Sequence, residues 1–173
     1  MTTPGSGPVS GPESGYGPAE AAALLDAVGP AFGKLRRSVL AEVENPLSPK
    51  DMTRTLVLNI VEEGAKAPDG EVTVGSVAER LGVDPSVASR MVSDCISSGY
   101  LVRAASQRDG RRTILCLSPE GVDLLGRFRA HQRAAFEYVT ADWSERDRLD
   151  LARLMVKYTD TIASLRERGL AGG

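Results

Sequence analysis

The chain has 173 residues, 42% of them hydrophobic and 25% charged, with a formal net charge of −2. That is long enough to bury a core, and the composition is that of an ordinary soluble globular protein rather than a disordered or fibrous one. The acidic balance argues against a general polyanion binder, no apolar run of about 18 residues marks a membrane span, and no secretory leader is expected, since the N-terminal residues lack a basic start and an apolar run.

Residues 1–17 hold five glycines, three prolines and three serines. Such a segment buries too little to offset its ordering entropy, so a flexible tail is expected. Pro18 to about Glu44 predicts a long helix, with Leu24, Val28, Phe32, Leu35, Val39 and Val43 in one apolar stripe. Gly29-Pro30 is expected to kink that helix or split it in two, and Asn45-Pro46 to end it. The stripe has to pack on something, either its own subunit or a second copy. Ser48-Pro49-Lys50-Asp51 starts a second helix running to about Ala65, with Leu56 and Ile60, joined by Thr53 and Val57, expected toward the core. Glu71-Val72-Thr73 is placed as a short third strand beside the later hairpin, with Thr73 also positioned to cap the next helix.

Val74, Val77, Ala78 and Leu81 share one face of a short helix that Gly82 ends. Asp84-Pro85 starts another, running to about Ser98. Its inner face is read as Ala88, Met91 or Val92, and Cys95. Its outer face is then Ser86, Val87, Ser89, Arg90 and Ser93. Short side chains let a helix backbone approach base edges closely, and a long arginine can reach guanine or phosphate. Two segments rich in β-formers follow, Tyr100 to Ala105 and Thr113 to Leu117, joined by SQRDGRR around an Asp109-Gly110 turn. Between Arg103 and Arg112 four arginines face one aspartate, a local charge of +3 on an acidic chain. Such a field is aimed at something negative. Arg108, Arg111 and Arg112 form the tip. Asp109 cannot serve a phosphate and is assigned to hold the loop, by pairing with Arg111 or a neighbouring arginine. Two helices across a tight turn, followed by a basic hairpin, predict a winged helix-turn-helix that reads DNA.

The remaining chain reads as two helices. Ser118-Pro119-Glu120 starts one that runs to about Thr140, with Leu124 or Leu125, Phe128 and Ala135 inward. Ser144 and Asp147 form a weak capping box for the last, which runs to about Arg168 with Leu151, Leu154 or Met155, Tyr158, Ile162 and Leu165 in a stripe. The fold expected is mainly α with a small β wing. A tail (1–17) and an N-terminal helix (18–46) precede the winged helix-turn-helix (47–117), and two further helices (118–168) and a short flexible end (169–173) follow it.

The wing residues Arg103, Asp109, Gly110, Arg111, Leu115, Cys116, Leu117, Ser118 and Gly121, with LGVDPSVASRMV before them, resemble the signature of MarR-type regulators (multiple antibiotic resistance regulators). The resemblance covers about residues 20–168 and is strongest over 74–121. It implies a cytoplasmic, nucleoid-associated homodimer whose flanking helices dimerise. Such a protein represses or activates transcription from palindromic double-stranded DNA and is often tuned by a small molecule or by oxidation. By the same resemblance an effector would sit between the long helices and the reading unit, near Phe32, Arg36, Ile60 and Phe128. The rival reading is a winged-helix protein-interaction module that has lost DNA binding.

Little in the sequence suggests catalysis, and no cofactor or metal is expected. His131, the one histidine, has no ligand-spaced partner and reads as a surface or interface residue, with a protonation switch as the sharper alternative. Cys95 lies on an inner helix face and Cys116 points to the sheet face opposite Leu115 and Leu117, so a bond between them is not expected. Cysteine-based oxidant sensing stands as the second alternative.

Overall fold

The protein's structure, a computed structural model, describes residues 15–37, 47–67 and 70–169. The chain divides into two units, residues 1–40 and 41–173. In the first, helix α1 (Pro18–Arg37) carries Glu20 in its first turn, where a negative charge suits the helix dipole. The helix runs unbroken through Pro30, so the expected split does not occur. Proline removes one hydrogen bond from a helix interior, and the three turns ahead of Pro30 are rich in alanine and leucine. Leu24, Val28, Phe32 and Leu35 are exposed along its length. The expected continuation through Val39 and Val43, the end at Asn45-Pro46 and most of the 1–17 tail lie outside the described residues.

The second unit opens with α2 (Pro49–Ala65), capped by Ser48, whose Oγ accepts the Asp51 N–H at 3.0 Å. Its buried face is Thr55, Val57, Leu58, Ile60, Val61 and Gly64. Ile60 and Val57 were expected there. Leu56 and Thr53 were expected there too, but both are exposed, Leu56 by 50%. A run of adjacent apolar residues (Leu56, Val57, Leu58) leaves the phase of a helix open by one position, and packing chose the later pair. Helix α3 (Val74–Leu81) starts at a capping box in which Thr73 Oγ1 accepts the Ser76 N–H and Ser76 Oγ accepts the Thr73 N–H. Gly82, at φ +65°, ends it in the left-handed conformation that glycine adopts at little steric cost. Helix α4 (Pro85–Ser97) follows after a turn of three residues, Gly82 to Asp84. Asp84 occupies its cap position without a side-chain bond; its carbonyl accepts from Val87 and Ala88 instead.

Strands β1 (Leu101–Ala105) and β2 (Thr113–Leu117) pair antiparallel, with Leu101 opposite Leu117 and Ala105 opposite Thr113. The sheet described has two strands. The expected third is reduced to one ladder-like bond, from Leu115 N–H to the Val72 carbonyl at 2.8 Å. Thr73 turns away at once to cap α3, which leaves no length for pairing. Helix α5 (Pro119–Val139) is capped by Ser118, and α6 (Glu145–Glu167) by Ser144, whose Oγ accepts the Asp147 N–H at 3.1 Å. Asp147 bonds the Ser144 hydroxyl, so the expected box is present only in part.

One core joins α2 to α5: Val57, Leu58 and Val61 from α2, Val77 from α3, Ala88, Val92 and Cys95 from α4, Leu101 and Leu115 from the sheet, and Leu124 and Leu125 from α5. Each large side chain so buried contributes roughly 1.5–3 kcal/mol. The core therefore fixes α4 and the hairpin to one scaffold. Gly121 lets α5 meet the hairpin base, because an added Cβ there would collide with the Tyr100 carbonyl.

Candidate nucleic-acid interface

Helix α4 presents two faces. Ala88, Val92 and Cys95 are buried, while Ser86, Ser89, Arg90 and Ser93 are exposed on the side away from the core. Val87, expected with the outer group, is half-buried at its edge. The outer face is thus low in relief, apart from one long cation. Arg90 makes no hydrogen bond or ion pair among the described residues, so it is available to an external partner.

A groove of about 410 Å³ lies between α2 and α4, lined by Lys50, Thr53, Arg54, Val57, Val87, Arg90, Met91 and Asp94. Its wall is an ion cluster. Arg54 Nε lies 2.7 Å from Asp94 Oδ2, and Arg54 Nη1 lies 2.9 Å from Asp51 Oδ1. Lys50 Nζ approaches Asp94 Oδ1 at 3.1 Å, and the Arg54 guanidinium stands 5.4 Å from the centre of the Tyr100 ring. The bonds from Arg54, then Lys50, hold the Asp94 carboxyl below its ordinary range. The Asp94 bond in turn holds the Arg54 guanidinium above its own. Burial pushes Asp51 upward, but hydrogen bonds from Ser48 and Arg54 leave it net lowered. Arg54 is 12% exposed, so this is a partly desolvated tie between α2 and the reading helix. A second tie joins Glu62 of α2 to Arg129 of α5 and to Lys66.

The hairpin loop is held from within. Ser106, buried at its base, accepts at Oγ from the backbone N–H groups of Arg108 (3.1 Å) and Asp109 (3.0 Å). Its hydroxyl donates to the Glu71 carboxylate, 2.7 and 2.8 Å away, and Gln107 N–H reaches the same carboxylate at 3.1 Å. The Ser106 bond, with backbone N–H groups behind it, holds the Glu71 carboxyl below its ordinary range. At the tip, Asp109 Oδ1 accepts the Arg111 backbone N–H at 3.0 Å and the Asp109 carbonyl accepts the Arg112 N–H at 2.8 Å. Asp109 therefore shapes the loop, as expected, but through the main chain of Arg111. Arg103, Arg108, Arg111 and Arg112 are all exposed.

Glu71, Ser106, Arg54 and Asp94 were not singled out from the sequence. Ser106 and Asp109 show the Ser-x-x-Asp spacing of a local turn, and Asp94 stands four residues after Arg90, on the same helix face. Glu71 and Arg54 act across 35 and 40 residues of chain and leave no such mark.

Of the residues named for an effector, Ile60 is in the core, Phe128 is buried on α5 and Phe32 is exposed on α1. The side chain of Arg36 lies outside the described residues. Ile60 and Phe128 do not line the α2–α4 groove. His131 is half-buried on α5, and its Nδ1 has no partner among the described residues. Both cysteines are free thiols; Cys95 is buried, and burial, then the nearby Asp94 charge, pushes it up to about 11. Among the described residues no cluster of three or more histidine, cysteine or acidic side chains could hold a metal, and no helix is long and apolar enough to cross a membrane.

The chain is similar to known proteins over most of its length. A model described as MarR family matches residues 50–112. Two helix-turn-helix-type transcriptional regulators, one from Mycobacterium tuberculosis and one from Mycobacterium bovis, are each 30% identical over 132 residues, covering 73% of this chain and 87% of theirs. A transcriptional regulator from Pseudomonas aeruginosa has a similar structure, with TM-score 0.58 and 22% identity over 83% of this chain and 92% of its own. A MarR family protein from Bacillus stearothermophilus follows at TM-score 0.54 and 18% identity, over 84% and 94%. At these identities the structural likeness is one of fold.

Proposed function

The chain belongs to the MarR family of transcriptional regulators, and on that premise we propose that it is a dimeric repressor of a palindromic operator. A two-fold dimer sets two copies of α4 against successive major grooves, roughly 34 Å apart. Ser86, Val87, Ser89, Arg90 and Ser93 face the base edges. Arg108, Arg111 and Arg112 reach the backbone, and one of them enters the minor groove, where a narrow A·T-rich segment attracts arginine. Asp109 keeps the tip in shape. The observation that carries this reading is a wing rich in exposed arginine, held by hydrogen bonds to Ser106 and Asp109, on the same scaffold as an outward helix face whose arginine has no partner among the described residues.

The flanking helices supply the pairing. Leu24, Val28, Phe32 and Leu35 on α1, and Leu154, Met155 and Tyr158 on α6, are exposed apolar side chains that a second copy would cover. The protein acts in the cytoplasm, on the nucleoid, as a DNA-binding protein rather than an enzyme, and a small-molecule effector that favours a non-binding spacing of the two reading helices would release the operator.

Hydroxyl-radical footprinting on the DNA upstream of its own coding sequence tests this. The expected pattern is two protected segments one helical turn apart, with flanking minor-groove protection that Arg111→Ala removes. Uniform protection along the duplex, unchanged in Arg111→Ala, would contradict it.

A further inference from the structure

Asp94 and Arg90 stand four residues apart on α4, where opposite charges meet on one helix face, and both line the same groove. Left alone, the carboxylate would compete for the guanidinium that the proposed reading sends to DNA. In the structure it is already engaged: Arg54 bonds both its oxygens, Nε at 2.7 Å to Oδ2 and Nη2 at 3.4 Å to Oδ1, while Lys50 takes Oδ1 from the solvent side. We infer that Arg54 is a positioning residue for DNA recognition, which occupies Asp94 and so keeps Arg90 free to reach the operator. This rests on the proposed role of Arg90.

The geometry of Arg54 suits the task. Its side chain is largely covered, and its guanidinium is held by Asp51 at 2.9 Å on one side and stands over the Tyr100 ring, which leaves it little freedom to swing away. Lys50 is 67% exposed on a flexible stem and makes a weaker hold. Removing Arg54 would leave a carboxylate with one oxygen free beside Arg90 and near incoming phosphates. An exposed helical ion pair shifts an equilibrium by roughly a factor of two, and like-charge repulsion from the phosphates adds to it. The loss expected for Arg54→Gln is therefore about five-fold in operator affinity.

The test is fluorescence anisotropy with the full-length protein and a labelled duplex of its upstream DNA, for Arg54→Gln, Asp94→Asn, the double variant and Arg90→Ala, with melting curves alongside. Arg54→Gln should bind about five-fold more weakly. Asp94→Asn should stay within two-fold of wild type, and the double variant should recover to the same level, because the competing carboxylate is gone. In an Arg90→Ala background, Arg54→Gln should cost about half as much, the two- to three-fold that repulsion from the phosphates alone accounts for. A brace that merely supports the fold predicts the opposite: Asp94→Asn as weak as Arg54→Gln, no recovery, and the same loss with or without Arg90. Those results, or wild-type binding by Arg54→Gln, would overturn the inference while leaving the role of Arg90 intact. Wild-type binding by Arg90→Ala would instead overturn the reading on which it rests. If Arg54→Gln melts too low to assay, Arg54→Lys with the same Asp94→Asn partner gives the comparison in the same direction at a smaller loss, because the lysine keeps one charge near Asp94 without the bidentate hold.

Discussion

Ser106→Ala isolates what pre-organisation of the wing contributes to DNA binding. The hydroxyl accepts two backbone N–H bonds, from Arg108 and Asp109, and ties the loop base to Glu71. Each neutral bond contributes about 1 kcal/mol net, so the two N–H bonds together hold the tip by about 2 kcal/mol. That corresponds to roughly a thirty-fold change in the equilibrium between ordered and open loop. Hydrogen exchange at the Arg108 and Asp109 amides should accelerate by up to that factor in the variant, with the amides of α3 and α4 unchanged. Operator affinity should fall about ten-fold, less than the full factor because water takes over part of the lost bonding at an exposed loop. Arg111→Ala added to Ser106→Ala should then cost less than it does in the wild type, since the loop that presents Arg111 is already open. Unaltered exchange at both amides would refute the assigned bonds. Faster exchange with unaltered affinity would refute the view that the wing contacts DNA in this shape.

Other outcomes follow from the same structure. Gly121→Ala forces a Cβ against the Tyr100 carbonyl, and overpacking of this kind should lower stability by about 1–3 kcal/mol in urea denaturation. Thr73→Ala deletes half of a capping box and should cost about 1 kcal/mol in the same assay. Cys95, with its thiol pushed up to about 11 by burial, holds only about one thiolate in ten thousand at neutral pH. In a Cys116→Ser background peroxide should leave operator binding unchanged at pH 7, and iodoacetamide should label Cys95 only on unfolding; rapid labelling of that native variant would contradict this. Asp51, Glu62 and Asp94 are each held below their ordinary values. A carboxyl lowered in the folded state stabilises the fold above its unfolded value, and that stability is lost as pH falls through the folded one. Stability should therefore decline as pH drops through the ordinary carboxylate range and below it, and Arg54→Gln should flatten that decline.

The readable parts of this fold were those in which neighbouring residues dictate the backbone. Gly82 ending α3, Pro85 opening α4, and Ser118-Pro119 and Ser144 opening α5 and α6 all follow from cap and turn chemistry within a few positions. So do the hairpin and the sorting of α4 into Ala88 and Cys95 inward, with Ser86, Ser89, Arg90 and Ser93 outward, while the choice between Met91 and Val92 falls to packing, which buries Val92. The errors came where distance or competition decides. Leu56 and Leu58 are equally apolar, and only the packing partners of α2 select between them. Of the two outcomes that Pro30 allows, a kink or a split, the split does not occur, because the helix propensity of the turns around it is spread over many residues. The supports of the interface, Glu71 under the wing and Arg54 behind α4, are ordinary charged residues, 35 and 40 positions from their partners, and nothing local marks them.

The central claim, that the outer face of α4 and the wing together read a specific DNA sequence, is met most directly by anisotropy across a salt series. The probes are the protein's own upstream duplex and a scrambled duplex of equal composition, with Arg90→Ala and Arg111→Ala beside the wild type. The account predicts tighter binding to the native duplex and a steep fall of log K with log salt. Arg90→Ala should erase most of the preference at a cost of about 1–3 kcal/mol. Arg111→Ala should weaken both duplexes and make the salt slope shallower. Equal affinity for the two duplexes at every salt concentration, unaltered in either variant, would contradict it.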